Sequence, residues 1–125
     1  MRSILLCLAL LVFVAPGLAQ EGIPEPTQRT DVPYRLFRTQ NVYTLLKLDT
    51  RTGQVWQIQW GSEPDLRWME PINLKPLADG KEVGRFTLYP TPNIYTFILL
   101  DQEDGRHWQV QWGKDKGYRY IVPVL

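Results

Sequence analysis

The side chains able to do covalent chemistry in this sequence are few. Of the usual nucleophile and base types, the 125 residues include one histidine (His107), one cysteine (Cys7) and two serines (Ser3 and Ser62). His107 has no second His or Cys with which to complete a metal site. Ser62 lies in a Gly-Ser-Glu-Pro loop with no histidine in its own half of the chain and with Lys114 at the matching place in the other half, which argues against a Ser-His-Asp arrangement. Carboxylates are the remaining catalytic route, since glycoside hydrolysis needs two acids held roughly 5–10 Å apart. Asp49, Asp101 and Glu70 are the candidates for it. Asp101-Gln-Glu103-Asp104-Gly105 puts oxygens at alternate positions as a calcium loop does, but the closing Glu of that pattern is missing. There is no Gly-rich phosphate loop. No metal and no cofactor are expected. What remains is hydrogen-bonding chemistry. Gln57, Gln59, Gln109 and Gln111 form a row of amides that donate and accept at once, which suits sugar hydroxyls or an extended peptide backbone. Arg67 and Arg119 are matched cations that could clamp an anionic partner or pair with an acid. The alternative is that the glutamines make a soluble outer face and hydrogen-bond across strands.

The elements that position these groups come from an internal repeat. Asn41–Gly61 aligns without a gap on Asn93–Gly113, a shift of 52, with 11 identities in 21 positions. Thr39/Thr91, Arg67/Arg119, Trp68/Tyr120 and Pro71/Pro123 extend the match. The chain therefore divides into repeat one (33–73), a connector (74–84) and repeat two (85–125), following a segment 1–19 and an extended, Pro-containing leader 20–32.

Each repeat reads as four strands. Thr39-Gln-Asn41 and Thr91-Pro-Asn93 are turn formers between the first and second strands. The second strands, 42–48 and 94–100, are rich in β-branched and aromatic residues. Asp49 to Gly53 and Asp101 to Gly105 look like tight hairpins, with Asp accepting backbone N–H bonds and Gly supplying positive φ. The third strands alternate: Trp56, Ile58 and Trp60 face away from Gln57 and Gln59, and copy two repeats the pattern. The fourth strands, 66–72 and 118–124, carry Pro71 and Pro123, as edge strands do. One such meander leaves an apolar face in water, and two can cover each other. The expectation is an all-β domain of eight antiparallel strands with pseudo-two-fold symmetry, as a sandwich or partly closed barrel. The tryptophan faces would be its shared core, and the glutamine row its outer surface. Strand 94–100 is apolar on both faces, so the side away from the core needs cover from the partner copy, the connector or another molecule.

Met1-Arg2-Ser3, the apolar run 4–14 and Gly17-Leu18-Ala19 have the form of a secretory signal cleaved after Ala19. The run is short of the ~20 apolar residues of a bilayer span, and no second one follows. Cleavage would remove Cys7, excluding thiol and disulfide chemistry from the remainder. It would also remove Arg2, leaving acids and bases equal in number. A neutral domain lacks the footprint of a nucleic-acid binder.

The stretch Pro90-Thr-Pro-Asn-Ile-Tyr-Thr-Phe97, with Leu100-Asp101, Gly105 and Trp108-Gln-Val-Gln-Trp112, resembles the repeat of small exported β-repeat proteins of uncharacterised function, of Bacteroidetes type. Copy one departs from it at Arg38 and Leu45. The resemblance implies location and fold and assigns no activity. Asp49-x-x-Thr52-Gly53 is distantly similar to the turn of quinone-dependent β-propeller blades, in which the tryptophan falls one residue later than Trp56 and Trp108 do. Two blades close a propeller only if the chain oligomerises.

The expected function is that of an exported, periplasmic or extracellular binding module without catalytic activity, taking a protein or glycan partner through Gln57, Gln59, Gln109, Gln111, Arg67 and Arg119. The alternatives are a small carboxylate-dependent glycan-processing enzyme and a structural subunit of an extracellular assembly. The sequence leaves the oligomeric state open.

Overall fold

The structure, a computed structural model, describes residues 28–125. The expected signal peptide and residues 20–27 of the leader lie outside the described residues. Repeat one forms β1 (Tyr34–Arg38), β2 (Thr44–Asp49), β3 (Val55–Gln59) and β4 (Trp68–Pro71). Repeat two forms β5 (Phe86–Pro90), β6 (Thr96–Asp101), β7 (His107–Gln111) and β8 (Tyr120–Pro123). Each set is a separate antiparallel meander in sequence order. Neither sheet closes into a barrel. Short 3-10 turns at Pro64–Leu66 and Lys116–Tyr118 precede the last strand of each.

The same local chemistry builds both copies. The Thr39 hydroxyl donates to the Thr44 carbonyl at 2.8 Å, and Asn41 Oδ1 accepts the Tyr43 amide at 2.9 Å. Thr91 and Asn93 repeat these bonds to Thr96 and Tyr95 at 2.7 and 2.9 Å. In the hairpins, Asp49 Oδ1 accepts the Arg51 amide and Asp101 Oδ1 that of Glu103. Gly53 and Gly105 close them at φ +78° and +82°, where a Cβ would collide with the backbone.

Residues opposite one another in the ladder share a face. In sheet one, Thr44, Leu46, Leu48, Val55, Gln57 and Gln59 therefore lie together, with Lys47, Trp56 and Ile58 behind them. In sheet two the pairs Leu88/Leu99, Phe97/Val110 and Leu99/Trp108 line the opposite kind of face, the tryptophan face. The core joins the glutamine face of sheet one to the tryptophan face of sheet two. Leu46, Leu48, Val55 and Ile72 pack with Phe86, Leu88, Phe97, Leu99, Trp108, Val110 and Trp112. Each fully buried aliphatic side chain among them contributes roughly 1.5–3 kcal/mol.

This corrects the expected symmetry. A two-fold would bring like faces together, whereas here unlike faces meet. The tryptophan face is core only in copy two: Trp108 is 7% exposed, while Trp60 of copy one is 46% exposed. The connector and leader tie the stack together. Leu77 donates its amide to Thr52 O at 2.7 Å, and Phe86 donates to Thr50 O at 2.9 Å. The buried Thr50 hydroxyl donates to Val32 O at 2.6 Å and accepts the Gly84 amide at 3.0 Å.

Candidate functional site

A cleft of about 580 Å³ opens at the end of the two sheets where β2 begins and β3 ends. Sheet one supplies Tyr43, Thr44, Gln57, Gln59, Trp60 and Trp68, with Asp65 and Leu66 from the 3-10 turn; sheet two supplies Tyr95, Trp112 and Lys114. The alternation of β3 and the register with β2 put Gln57 and Gln59 on the face that packs toward sheet two. The Thr39-Gln-Asn41 turn sets Tyr43 against Trp60, with ring centroids 5.2 Å apart. Trp60 Nε1 is satisfied by Val42 O at 2.9 Å, so its ring is fixed in place.

The polar groups of the cleft differ in how fully they are used. Gln59 Oε1 accepts the Thr44 hydroxyl at 2.9 Å. Gln57 is 0% exposed; its Oε1 accepts the Gly113 amide at 3.1 Å, and its Nε2 has no partner among the described residues. A buried amide N–H₂ left unpaired costs on the order of 1–3 kcal/mol, so this nitrogen is a donor in want of an acceptor. Among the described residues, Asp65 is the one carboxylate lining the cleft and Lys114 the one cation.

The four glutamines proposed as a single surface do not converge. Gln57 and Gln59 line the cleft, while Gln109 and Gln111 lie on the outward face of sheet two. Gln109 Nε2 is 3.4 Å from the Tyr120 hydroxyl, and Gln111 Oε1 accepts the Thr96 hydroxyl at 2.8 Å. Both guanidiniums expected as clamps bind loop carbonyls. Arg67 donates to Gly61 O and Ser62 O at 3.0 Å, and Arg119 to Gly113 O and Lys114 O at 3.3 Å. Arg119 also lies 5.2 Å from the Trp68 ring centroid, a cation–π contact from sheet two to sheet one.

The paired acids stand away from the cleft. Asp49 and Asp101 end β2 and β6, at the opposite end of the strands, and Glu70 is exposed on β4. Asp101 is fully buried, bonded to Arg85 at 2.9 Å and to Arg106 at 3.4 Å. Burial alone would raise its pKa. The Arg85 guanidinium and the amides of Glu103 and Asp104 outweigh that and bring it down to about 2. Asp49 is bound by Arg51 at 3.1 Å. Among the described residues no group of three or more His, Cys, Asp or Glu could hold a metal. No described helix is long and apolar enough to cross a membrane. A second, shallower recess of about 420 Å³ contains Arg35, whose Nη1 lies 3.4 Å from Thr87 Oγ1 and whose guanidinium lies 4.8 Å from the Phe37 ring centroid, while its buried Nε has no partner among the described residues.

Sequence reasoning misses the aromatic lining of the cleft because it places every tryptophan in a shared core: Trp112 does lie there, at 4% exposed, but Trp60 and Trp68 of copy one do not. The signal that would have found it is the turn: Asn41 and Asn93 each cap a Tyr that stacks on a Trp. No protein-family model matches the chain, and no curated protein or solved structure matches it either.

Proposed function

We propose that the protein is an exported, non-catalytic glycan-binding module whose site is the cleft between the two sheets. The observation that carries this reading is the unpartnered Nε2 of buried Gln57, set in a cleft walled by Tyr43, Trp60 and Trp68. Sugars present apolar C–H faces that stack on aromatic rings, and hydroxyls that accept from an amide N–H₂. A concave site with aromatic walls and a few convergent polar groups is the usual form of a small-ligand pocket. Asp65, the single carboxylate lining the cleft among the described residues, does not supply the pair that glycoside hydrolysis requires. The signal-like N-terminus supports an exported, periplasmic or extracellular location.

The test is titration calorimetry of the purified protein against a panel of neutral oligosaccharides. Gln57→Leu, which keeps bulk and removes the amide, is expected to abolish binding while retaining the far-UV circular dichroism spectrum. Lys75→Ala, on the exposed connector, is expected to bind as the parent does. Full affinity in Gln57→Leu, or binding to extended peptides in place of sugars, would overturn the glycan reading.

A further inference from the structure

The two faces buried inside the chain have counterparts that are left outside. On sheet one, half-exposed Leu36, Trp56 and Ile58 occupy the repeat positions of Leu88, Trp108 and Val110, which are 4%, 7% and 0% exposed. On sheet two, Tyr89, Ile98 and Leu100 occupy the positions of Phe37, Leu46 and Leu48, which pack in the core. The chain thus carries, facing solvent at its two ends, both halves of the interface that it already makes within itself. These halves are unlike, so the self-complementary contact runs head to tail.

We propose that the protein assembles with further copies of itself, the outward face of sheet two in one copy stacking on the outward face of sheet one in the next. The polar contacts between the sheets have their counterparts too. The Gly113 amide bonded to Gln57 Oε1 recurs as Gly61 of the next copy bonded to Gln109, the repeat counterpart of Gln57. The Arg119 contact with Trp68 recurs as Arg67 of the next copy over Tyr120. A second copy is the occupant these faces fit, because residue types, register and cross-sheet bonds all continue an interface the chain already contains. Lys47 and His107 stand where the inner interface has Leu99 and Val55, so the outer junction is the weaker of the two. A head-to-tail contact makes a ring where its rotation closes, and rings of four-stranded sheets hold roughly four to eight sheets, which is about two to four copies of this chain. The assembly does not depend on the glycan reading. The second cleft that it builds, between Gln109, Gln111 and Tyr120 and the Tyr43–Trp60 pair of the next copy, does.

Sedimentation velocity of the purified protein tests this. A discrete species of two to four copies is expected, and Ile58→Arg and Ile98→Arg are each expected to sediment as monomers with an unchanged circular dichroism spectrum. Mixing the two variants restores one junction, because each keeps the face that the other has lost, and gives a one-to-one dimer. A parent protein that is monomeric at every concentration would overturn the proposal. So would a mixture that stays monomeric, or an assembly broken by only one of the variants, as like faces meeting would give. A species that grows without limit with concentration would overturn ring closure. Should either variant fail to fold, Leu36→Arg and Tyr89→Arg make the same test at more exposed positions of the same faces. A monomer that still binds sugar refutes assembly and leaves the proposed function standing.

Discussion

Gln57 reaches from the middle of β3 to accept the backbone amide of Gly113, just beyond β7, at 3.1 Å, and both ends of that bond are shut away from water. The bond ties the two sheets together beside the cleft and leaves the amide nitrogen of Gln57 without a partner among the described residues. A carboxylate at this position would keep the acceptor but bring a charge into a site that offers it one donor. Gln57→Glu is therefore expected to lose at least about 2 kcal/mol at neutral pH. Burial raises the introduced group's folded pKa above its unfolded value, so the deficit should shrink as the pH falls towards 4. Urea titrations at the two pH values measure it; equal losses at both would count against a buried position.

The two hairpin glycines share a conformation but not a neighbourhood. A Cβ on Gly53 would meet the Phe86 ring at 2.9 Å and Leu77 at 3.1 Å, whereas one on Gly105 meets nothing within 4 Å. Both alanine variants suffer from the left-handed backbone, at about 1–2 kcal/mol. Only Gly53→Ala adds a clash at the seam between the sheets, worth roughly 1–3 kcal/mol more. Denaturant midpoints that come out equal would show that Phe86 yields freely.

Asp101 holds two guanidiniums from full burial, while Asp49, its repeat counterpart, holds Arg51. Asp101→Asn leaves Arg85, itself 17% exposed, without its main counter-ion and is expected to cost about 3–5 kcal/mol. Asp49→Asn should cost less, about 1–2 kcal/mol. The comparison is made by equilibrium unfolding of both variants.

Acid should act through the same residue. The folded pKa of Asp101 lies at about 2, below the ordinary aspartate value near 3.8. Its ionised form thus adds stability in full above the unfolded pKa, and this is lost as the pH falls from about 5 through 2. The contribution is on the order of 2 kcal/mol. Glu103 is shifted the other way, upward, first by its hydrogen bond to Glu82. Its effect has the opposite sign and is weak in solvent. Thermal melts between pH 2 and 6 should show the parent losing stability more steeply than Asp101→Asn.

The strands, the turns and the duplication were legible in the sequence because each rests on local chemistry: period-two alternation, Asn and Asp side chains accepting nearby amides, and glycine at positive φ. The sheets' mutual orientation was not, because Trp56 and Trp108 sit in nearly identical local contexts and only packing makes one half-exposed and the other buried. The discriminating residues were those that differ between copies. Lys47 stands opposite Leu99 in the alignment, and its ammonium lies over the Tyr34 and Trp56 rings, which marks that face as outward. His107 replaces Val55 and marks the other outward face in the same way. Reading the repeats for their identities pointed to one shared core face. Reading them for their differences would have separated the glutamines of the cleft from those on the outer surface.

Thr50 has one further consequence. A single hydroxyl ties the chain entering sheet one, through Val32, to the chain entering sheet two, through Gly84, and the carbonyl of the same residue holds Phe86. Neither sheet can fray from its starting strand without unseating the other. The two halves should therefore melt as a single cooperative unit, and their slowest-exchanging amides should share one opening energy.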